Sequence, residues 1–150
     1  MRIALYQPDI PQNTGNIFRL GACLGVSVDI IEPTGFVFDD KRFKRSAMDY
    51  LDHIDYKKHI DWQHFYDWTK KNNFRLILMT TKSQNNLYNF KLNPSDIWLF
   101  GRESAGVPEN IHNIVDHRLT SLMKDGVRSI NLSSSVALVL GEALRQTNQL

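Results

Sequence analysis

The chain has a single cysteine and no long apolar run. Cys23 alone excludes an internal disulfide and favours a reducing compartment, so we expect a cytoplasmic protein. No stretch approaches the ~20 apolar residues of a membrane-spanning helix. The apolar run 3–6 is also too short for a signal peptide. The sequence therefore predicts no membrane partner, and the apolar neighbours of Cys23 indicate a small core residue.

Common nucleotide- and metal-binding signatures are absent as well. No Gly-x-Gly-x-x-Gly follows the first predicted strand, and no Gly-x-x-x-x-Gly-Lys loop occurs. The five histidines are scattered without metal-ligand spacing, and the net charge of +2 is too small to indicate nucleic acid by itself. A dinucleotide-binding enzyme, an NTPase and a metal site are therefore all disfavoured.

The length of 150 residues, with 42% hydrophobic and 23% charged residues, predicts one globular domain spanning 1–150. Strand patterns occur at 3–6, 28–31, 74–79 and 96–100, with weaker ones at 54–60 and 118–123. Helices are predicted to begin at Asn13 or Thr14, Asp39 or Asp40, Asp61, Pro108 and one of Ser133, Ser134 and Ser135. This alternation predicts an α/β fold with a mainly parallel sheet.

Three junctions between strands and helices are rich in small and polar residues. The first places Asn13, Asn16 and Arg19 near a helix start, which suits a phosphate or a ribose. In the second, Gly101 at a strand end allows a flat ligand to approach the backbone closely, and Glu103 follows in the loop. Each junction alone is better explained by a capped helix or an ordinary connection, but together they indicate one composite site.

The third junction contains Ser129 and Asn131, which flank Ile130 in an extended segment and would project to one side. The helix pattern that follows has apolar residues at helical spacing, namely Val136, Val139, Leu140, Ala143 and Leu144. Alone, this stretch is simply a well-capped helix.

Taken together, the three stretches resemble the three motifs of the SPOUT superfamily of S-adenosylmethionine-dependent RNA methyltransferases. Further matches resemble its small single-domain subfamily, which methylates the 2′-hydroxyl of the tRNA wobble nucleotide, a cytidine or a modified uridine; they lie at 6–16, 31–36, 39–42, 49–50 and 80–82. The resemblance implies a Rossmann-like, mainly parallel sheet with a C-terminal deep trefoil knot. It also implies S-adenosylmethionine as cofactor, tRNA as substrate and a homodimer.

The resemblance also implies roles for individual residues. The reacting end would contain Asn13, Arg19, Glu103 and Asn131, and the cofactor pocket would contain Met79, Gly101, Ser121, Leu122 and Ser129. The family usually has an Ile-Pro-Met segment where this chain has 121–123, a departure within the cofactor pocket. In the family the residue matching Arg19 is assigned removal of the hydroxyl proton. Because a guanidinium stays protonated, we expect a phosphate clamp and electrostatic stabiliser, and base activity remains a hypothesis.

A basic cluster on the second helix is the predicted RNA-binding surface, and it consists of Lys41, Arg42, Lys44 and Arg45. A solvated helix face explains the same pattern. Nearby, Phe36, Phe38 and Phe43 would either stack an unpaired base or belong to the core. The family resemblance also implies that the first and last helices form the dimer interface. Two other functions stay open, a non-catalytic RNA-binding protein of the same fold and the same reaction on another RNA such as rRNA.

Overall fold

The computed structural model describes residues 1–121, 123–124 and 126–149, with Met48 described by its backbone alone. The strands of this described chain are β1 (Arg2–Tyr6), β2 (Ser27–Ile31), β3 (Tyr56–His59), β4 (Arg75–Met79), β5 (Asp96–Phe100) and β6 (His117–Leu119). The α-helices are α1 (Pro11–Leu24), α2 (Lys41–Ala47), α3 (Trp62–Lys71), α4 (Glu109–Ile114) and α5 (Leu132–Gln146), with 3₁₀ helices at Met48–Asp52 and Leu87–Asn89. The predicted α/β alternation is confirmed, and the weak pattern at 54–60 contains a true strand.

The strands form one sheet in the order β3-β2-β1-β5-β4-β6, and the neighbouring strands pair in parallel. Helices cover both faces, which is why β5 is buried at every position. On one face, Phe18 of α1, Phe43 of α2 and Val139 of α5 join the larger core cluster. On the other, Phe65 of α3 and Ile111 of α4 join a second cluster.

β1 and β5 lie side by side in the centre of the sheet, but the helices that follow them pack on opposite faces. This arrangement is a topological switch point, where a crevice opens beyond the carboxyl ends of two neighbouring parallel strands. The first two polar junctions of the sequence start at those two strand ends. The topology therefore places both at the position where open α/β sheets bind ligands.

Two predicted helix caps differ from the structure. The first helix begins at Pro11 after Ile10, because the missing N–H of a proline costs nothing at the first helical position. The cap of α5 is Asn131 rather than a serine, since its Oδ1 accepts hydrogen bonds from the backbone N–H groups of Ser133 and Ser134. The predicted cap of α3, Asp61, is confirmed by its bond from the His64 N–H.

Two other expectations about side chains have clear outcomes. Cys23 is exposed on α1, so the expectation of a core residue is wrong; the buried face of that helix uses Ile17 and Phe18 instead. Phe36 and Phe43 are buried, which confirms the core alternative for both rings. Among the described residues, the structure shows no helix of the length and apolarity that a bilayer crossing requires.

Gly15 allows the close packing of α1 on α2. A Cβ at this position would lie 2.8 Å from the Ala47 nitrogen and 2.9 Å from the Phe43 oxygen, both backbone atoms. We therefore expect Gly15→Ala to lower the free energy of unfolding by about 1–3 kcal/mol through overpacking. Urea denaturation would measure this effect. Gly141→Ala is the matched control, because a Cβ there meets nothing within 4 Å and alanine favours a helix. Equal destabilisation by both variants would contradict this account.

Candidate active site

A pocket of about 500 Å³ lies at the switch point, within the range of roughly 300–1,000 Å³ typical of small-molecule sites. The predicted site residues that line it are Asn13, Met79, Gly101, Glu103, Ser121, Ser129 and Asn131. The structure thus brings all three polar junctions together, as the sequence predicts. Leu122 lies outside the described residues, and Arg19 is not among the lining residues.

Glu103 connects the second junction to the first. Its Oε2 accepts a hydrogen bond of 2.8 Å from the backbone N–H of Asp9, and its Oε1 accepts one of 3.2 Å from Nδ2 of Asn13. Both carboxylate oxygens therefore have donors, a pattern that an ionised carboxylate satisfies because it only accepts. These two hydrogen bonds hold the Glu103 side chain at the pocket wall.

Asn13 and Asn131 extend the connection to the third junction. Nδ2 of Asn131 donates to Oδ1 of Asn13 at 2.9 Å, while Oδ1 of Asn131 accepts from the first turn of α5. Asn13 is only 5% exposed, so its amide is held almost completely by the protein. These bonds fix the amide orientation of Asn13, with its nitrogen towards Glu103 and its oxygen towards Asn131.

Asp9 is a member of this network that the sequence reasoning missed. Its carboxylate accepts from Nε of Arg102 at 3.0 Å and from the Ser104 N–H at 3.1 Å. Burial raises the pKa of Asp9, but the bonds from Ser104 and Arg102 outweigh burial and hold the pKa below its ordinary value. The available signal was its position directly after β1, opposite the loop that follows β5.

The glycine loop after β5 is closed by its own backbone. Arg102 and Gly106 exchange two backbone hydrogen bonds, of 3.1 and 2.8 Å. Gly106 has a φ of +67°, and a Cβ on Gly101 would lie 2.6 Å from the Gly106 Cα. A side chain at Gly101 would therefore meet the far side of the same loop, and the close approach of a flat ligand to Gly101 stays a prediction.

Other titratable groups near the pocket include His112, one of the five histidines scattered along the sequence. Burial lowers the pKa of His112, and Lys82 and Arg118 add to this effect against the attraction of Glu109. His112 is therefore neutral at neutral pH. Within the described ranges, no group of three His, Cys, Asp or Glu residues has a geometry that could hold a metal ion.

Arg19 lies on the exposed side of α1, with its guanidinium carbon 5.4 Å from the centre of the Tyr50 ring. It follows Asn13 by six residues, which at ~100° per residue turns its side chain well away from Asn13. A single chain therefore does not bring Arg19 to the other three predicted catalytic residues. Its role in the reaction stays a prediction.

The basic cluster on α2 is exposed, but half of it is paired. Arg42 forms a salt bridge with Asp40 at 2.8 Å, and Lys44 forms one with Asp39. These aspartates directly precede the helix, so they reduce the positive charge that Arg42 and Lys44 present. The involvement of the cluster in RNA binding stays a prediction, with Lys41 as an exposed cation at its start.

Comparison with known proteins assigns the chain to a family. Residues 1–141 match the SpoU rRNA Methylase family. The chain belongs to this family. A Beijerinckia indica subsp. indica protein named tRNA (cytidine(34)-2'-O)-methyltransferase is 47% identical over 148 residues, which are 99% of this chain and 92% of the relative.

Solved structures agree with the SpoU assignment. One described as "Structural insights into the 2-OH methylation of C/U34 on tRNA" has a TM-score of 0.92 and 34% identity, and covers 97% of this chain and 94% of its own. AviRb from Streptomyces viridochromogenes, in complex with AdoMet, has a TM-score of 0.89 but 20% identity over 97% of this chain and 57% of its own, so this likeness shows the fold alone. The SPOUT-type fold class is confirmed, and the knot stays a prediction.

Proposed function

We propose that this SpoU methylase transfers a methyl group from S-adenosylmethionine to the 2′-hydroxyl of nucleotide 34, a cytidine or a modified uridine, in the tRNA anticodon loop. The observation that carries the proposal is the hydrogen-bonded set Glu103, Asn13 and Asn131 on the wall of the switch-point pocket. The likeness to the Beijerinckia indica relative over 99% of the chain supports nucleotide 34 as the target. We also propose that the enzyme acts in the cytoplasm, where tRNA is its partner.

The pocket fits S-adenosylmethionine in size and in the groups that line it. Met79, Gly101, Ser121 and Ser129 would hold the cofactor, and the absence of a side chain at Gly101 keeps the backbone of its loop accessible. Ser121 and Met123 both line the pocket, so the segment that departs from Ile-Pro-Met still forms part of the wall. The bound cofactor would supply an activated methyl group on a sulfonium, which needs no metal.

The residues of the chain act in this proposal by positioning. The 2′-hydroxyl must approach the methyl group in line, and holding two groups in that geometry supplies much of the acceleration. Glu103 contributes the negative charge of this wall, while Asn13 and Asn131 fix the orientation of the carboxylate. Arg19 would contribute a positive charge near the substrate phosphate rather than a base, because its guanidinium stays protonated.

We further propose a homodimer that joins the exposed faces of α1 and α5. Leu24 at the end of α1 is 37% exposed and Leu138 on α5 is 45% exposed. Arg19 and Cys23 lie on the same exposed side of α1. A second copy on this surface would cover the apolar side chains and would bring Arg19 of one protomer towards the pocket of its partner.

Methyl transfer to total tRNA tests the reaction. We expect labelled methyl from S-adenosylmethionine to appear as 2′-O-methylcytidine or 2′-O-methyluridine at position 34. Ribosomal RNA is offered as a second substrate in a parallel assay, and label in ribosomal RNA alone would favour the same chemistry on another RNA. RNA binding without transfer would favour the non-catalytic alternative, and an unchanged melting temperature with cofactor would oppose the proposed binding site.

Mixing two variants of reduced activity tests the dimer and the place of Arg19. In a mixed dimer of Arg19→Ala and Glu103→Ala protomers, one of the two sites regains both side chains if Arg19 acts across the interface. We therefore expect mixing to restore activity, with light scattering to confirm a dimer. If Arg19 acts within its own protomer, both sites remain defective and mixing restores nothing.

Asn131→Asp should separate stability from activity. An aspartate still caps α5, so the melting temperature should stay close to that of the wild type. The variant cannot donate to Asn13 Oδ1, and a flipped Asn13 amide would turn its oxygen towards Glu103. We expect about a tenfold loss of methyl transfer from this one bond. Wild-type methyl transfer by Asn131→Asp, or a melting temperature as low as that of Asn131→Ala, would contradict this expectation.

A further inference from the structure

Arg102 is a charged residue of the pocket that neither the sequence reasoning nor the family resemblance assigns. Its side chain is 35% exposed, and the residue lines the pocket beside Glu103. Nε of Arg102 donates to Oδ1 of Asp9 at 3.0 Å, which fixes the direction of the side chain. In the described part of the chain, its two Nη groups have no hydrogen-bond partner.

The neighbouring carboxylates are already satisfied. Asp9 Oδ2 accepts from the Ser104 N–H, and the two oxygens of Glu103 accept from Asp9 and Asn13. A guanidinium has five N–H donors, so one bond to Asp9 leaves most of its capacity unused. The contact with Asp9 therefore fixes the Arg102 side chain and leaves its Nη donors available to a ligand.

The unused donors of Arg102 suit an anionic ligand, even though the carboxylates of Asp9 and Glu103 outnumber this one guanidinium. Asp9 and Glu103 are neighbouring acidic residues, since the backbone N–H of Asp9 donates to Oε2 of Glu103, and an incoming ribose brings its 3′-phosphate next to the reacting 2′-hydroxyl. Without a cation, these groups would repel one another. A planar guanidinium is suited to a phosphate because it can donate two parallel hydrogen bonds.

We propose that Arg102, oriented by Asp9, binds the phosphate attached to the reacting ribose and thereby selects a polynucleotide substrate. This inference rests on the proposed function, because it takes the ribose to enter this pocket. The cofactor carries a carboxylate of its own, which is the other anion that a guanidinium here would bind. The two ligands give different experimental results.

The test compares Arg102→Gln and Arg102→Lys with Lys71→Gln. Lys71 is an exposed cation in the last turn of α3 and is not among the pocket-lining residues, so its variant removes the same charge elsewhere. We expect Arg102→Gln to weaken tRNA binding and raise the KM for tRNA by roughly ten- to a hundredfold. Arg102→Lys should recover part of this loss, since lysine keeps the positive charge but cannot donate two parallel hydrogen bonds. Lys71→Gln should match the wild type.

Two readouts are independent of turnover. Tight-binding measurements over a series of KCl concentrations should show a slope of log affinity against log salt that is shallower by about 0.7–0.9 in Arg102→Gln. Calorimetry with S-adenosylmethionine alone should give wild-type affinity for the same variant. Loss of cofactor affinity with unchanged tRNA affinity would overturn the proposal in favour of the cofactor carboxylate.

A lower melting temperature with unchanged tRNA affinity would also overturn it, since Arg102 would then serve only the Asp9 contact. Failure of the proposed function looks different. In that case the wild type would transfer no methyl group to tRNA, whereas the salt series would still report whether Arg102 contacts the RNA backbone.

Discussion

Glu103→Ala should lower kcat/KM for methyl transfer by about a hundredfold or more, the largest effect expected for any single substitution here. The carboxylate accepts from the Asp9 N–H and from Nδ2 of Asn13, so its removal leaves two donors without their acceptor. Each unsatisfied donor in a partly buried site costs about 1–3 kcal/mol. Steady-state kinetics with tRNA and labelled cofactor would measure the loss.

Glu103→Gln should fall between Glu103→Ala and the wild type. A glutamine offers one carbonyl oxygen where the network needs two acceptors, so its NH₂ group faces either Asp9 or Asn13. Glu109→Gln is the matched control, because Glu109 is exposed on α4 and its nearest cation, Lys82, is 4.0 Å away. Wild-type activity of Glu103→Gln would show that the charge and the second acceptor are dispensable.

Gly101→Ala should weaken S-adenosylmethionine binding by roughly ten- to a hundredfold while the chain stays folded. The added Cβ would lie 2.6 Å from the Cα and the carbonyl carbon of Gly106, so the backbone of the loop must move. The loop lies beyond the end of β5, and only Val107 at its far end belongs to a core cluster, so we expect the rest of the core to stay packed. Calorimetry would measure the affinity, and thermal unfolding without cofactor would confirm the fold.

Gly106→Ala provides the comparison within the same loop. A Cβ on Gly106 meets nothing within 4 Å, so the only penalty is the left-handed φ of +67°. Such a conformation costs an alanine roughly 1–2 kcal/mol, and the variant should lose less affinity than Gly101→Ala. A larger loss in Gly106→Ala would show that backbone conformation, rather than space at Gly101, controls the site.

Much of the fold could be predicted because its signals are local. Apolar runs such as 96–100 and the spacing within α5 identify buried strands and a helix without reference to the rest of the chain. The meeting of the three junctions was also predicted, because several such polar stretches in one short chain indicated a single composite site. Local chemistry misled at helix starts, where Pro11 and Asn131 precede several plausible caps, and at Cys23, whose apolar neighbours indicated the core although the residue is exposed.

The contacts that complete the site could not be predicted, because they join distant residues. Asn13 bonds to Asn131 across 118 positions and to Glu103 across 90, and no local pattern specifies such partners. The basic cluster could be found from the sequence, but its net charge could not. A run of positive residues does not show that Arg42 pairs with Asp40 and Lys44 with Asp39. Asp9 was missed because its partners, Arg102 and Ser104, lie far away in the sequence, in the loop that follows β5.

The hydrogen bond between Asn13 and Asn131 has a consequence for synthesis on the ribosome. These residues are 118 positions apart, so at about 5–20 residues per second the first waits on the order of ten seconds for the second to be made. During that interval the nascent chain contains β1 and α1 but not α5, whose Val136, Val139 and Leu140 complete the larger core cluster. The capacity for catalysis therefore arises late in translation, and an mRNA truncated before the codon for Asn131 would yield an inactive product with exposed apolar surface.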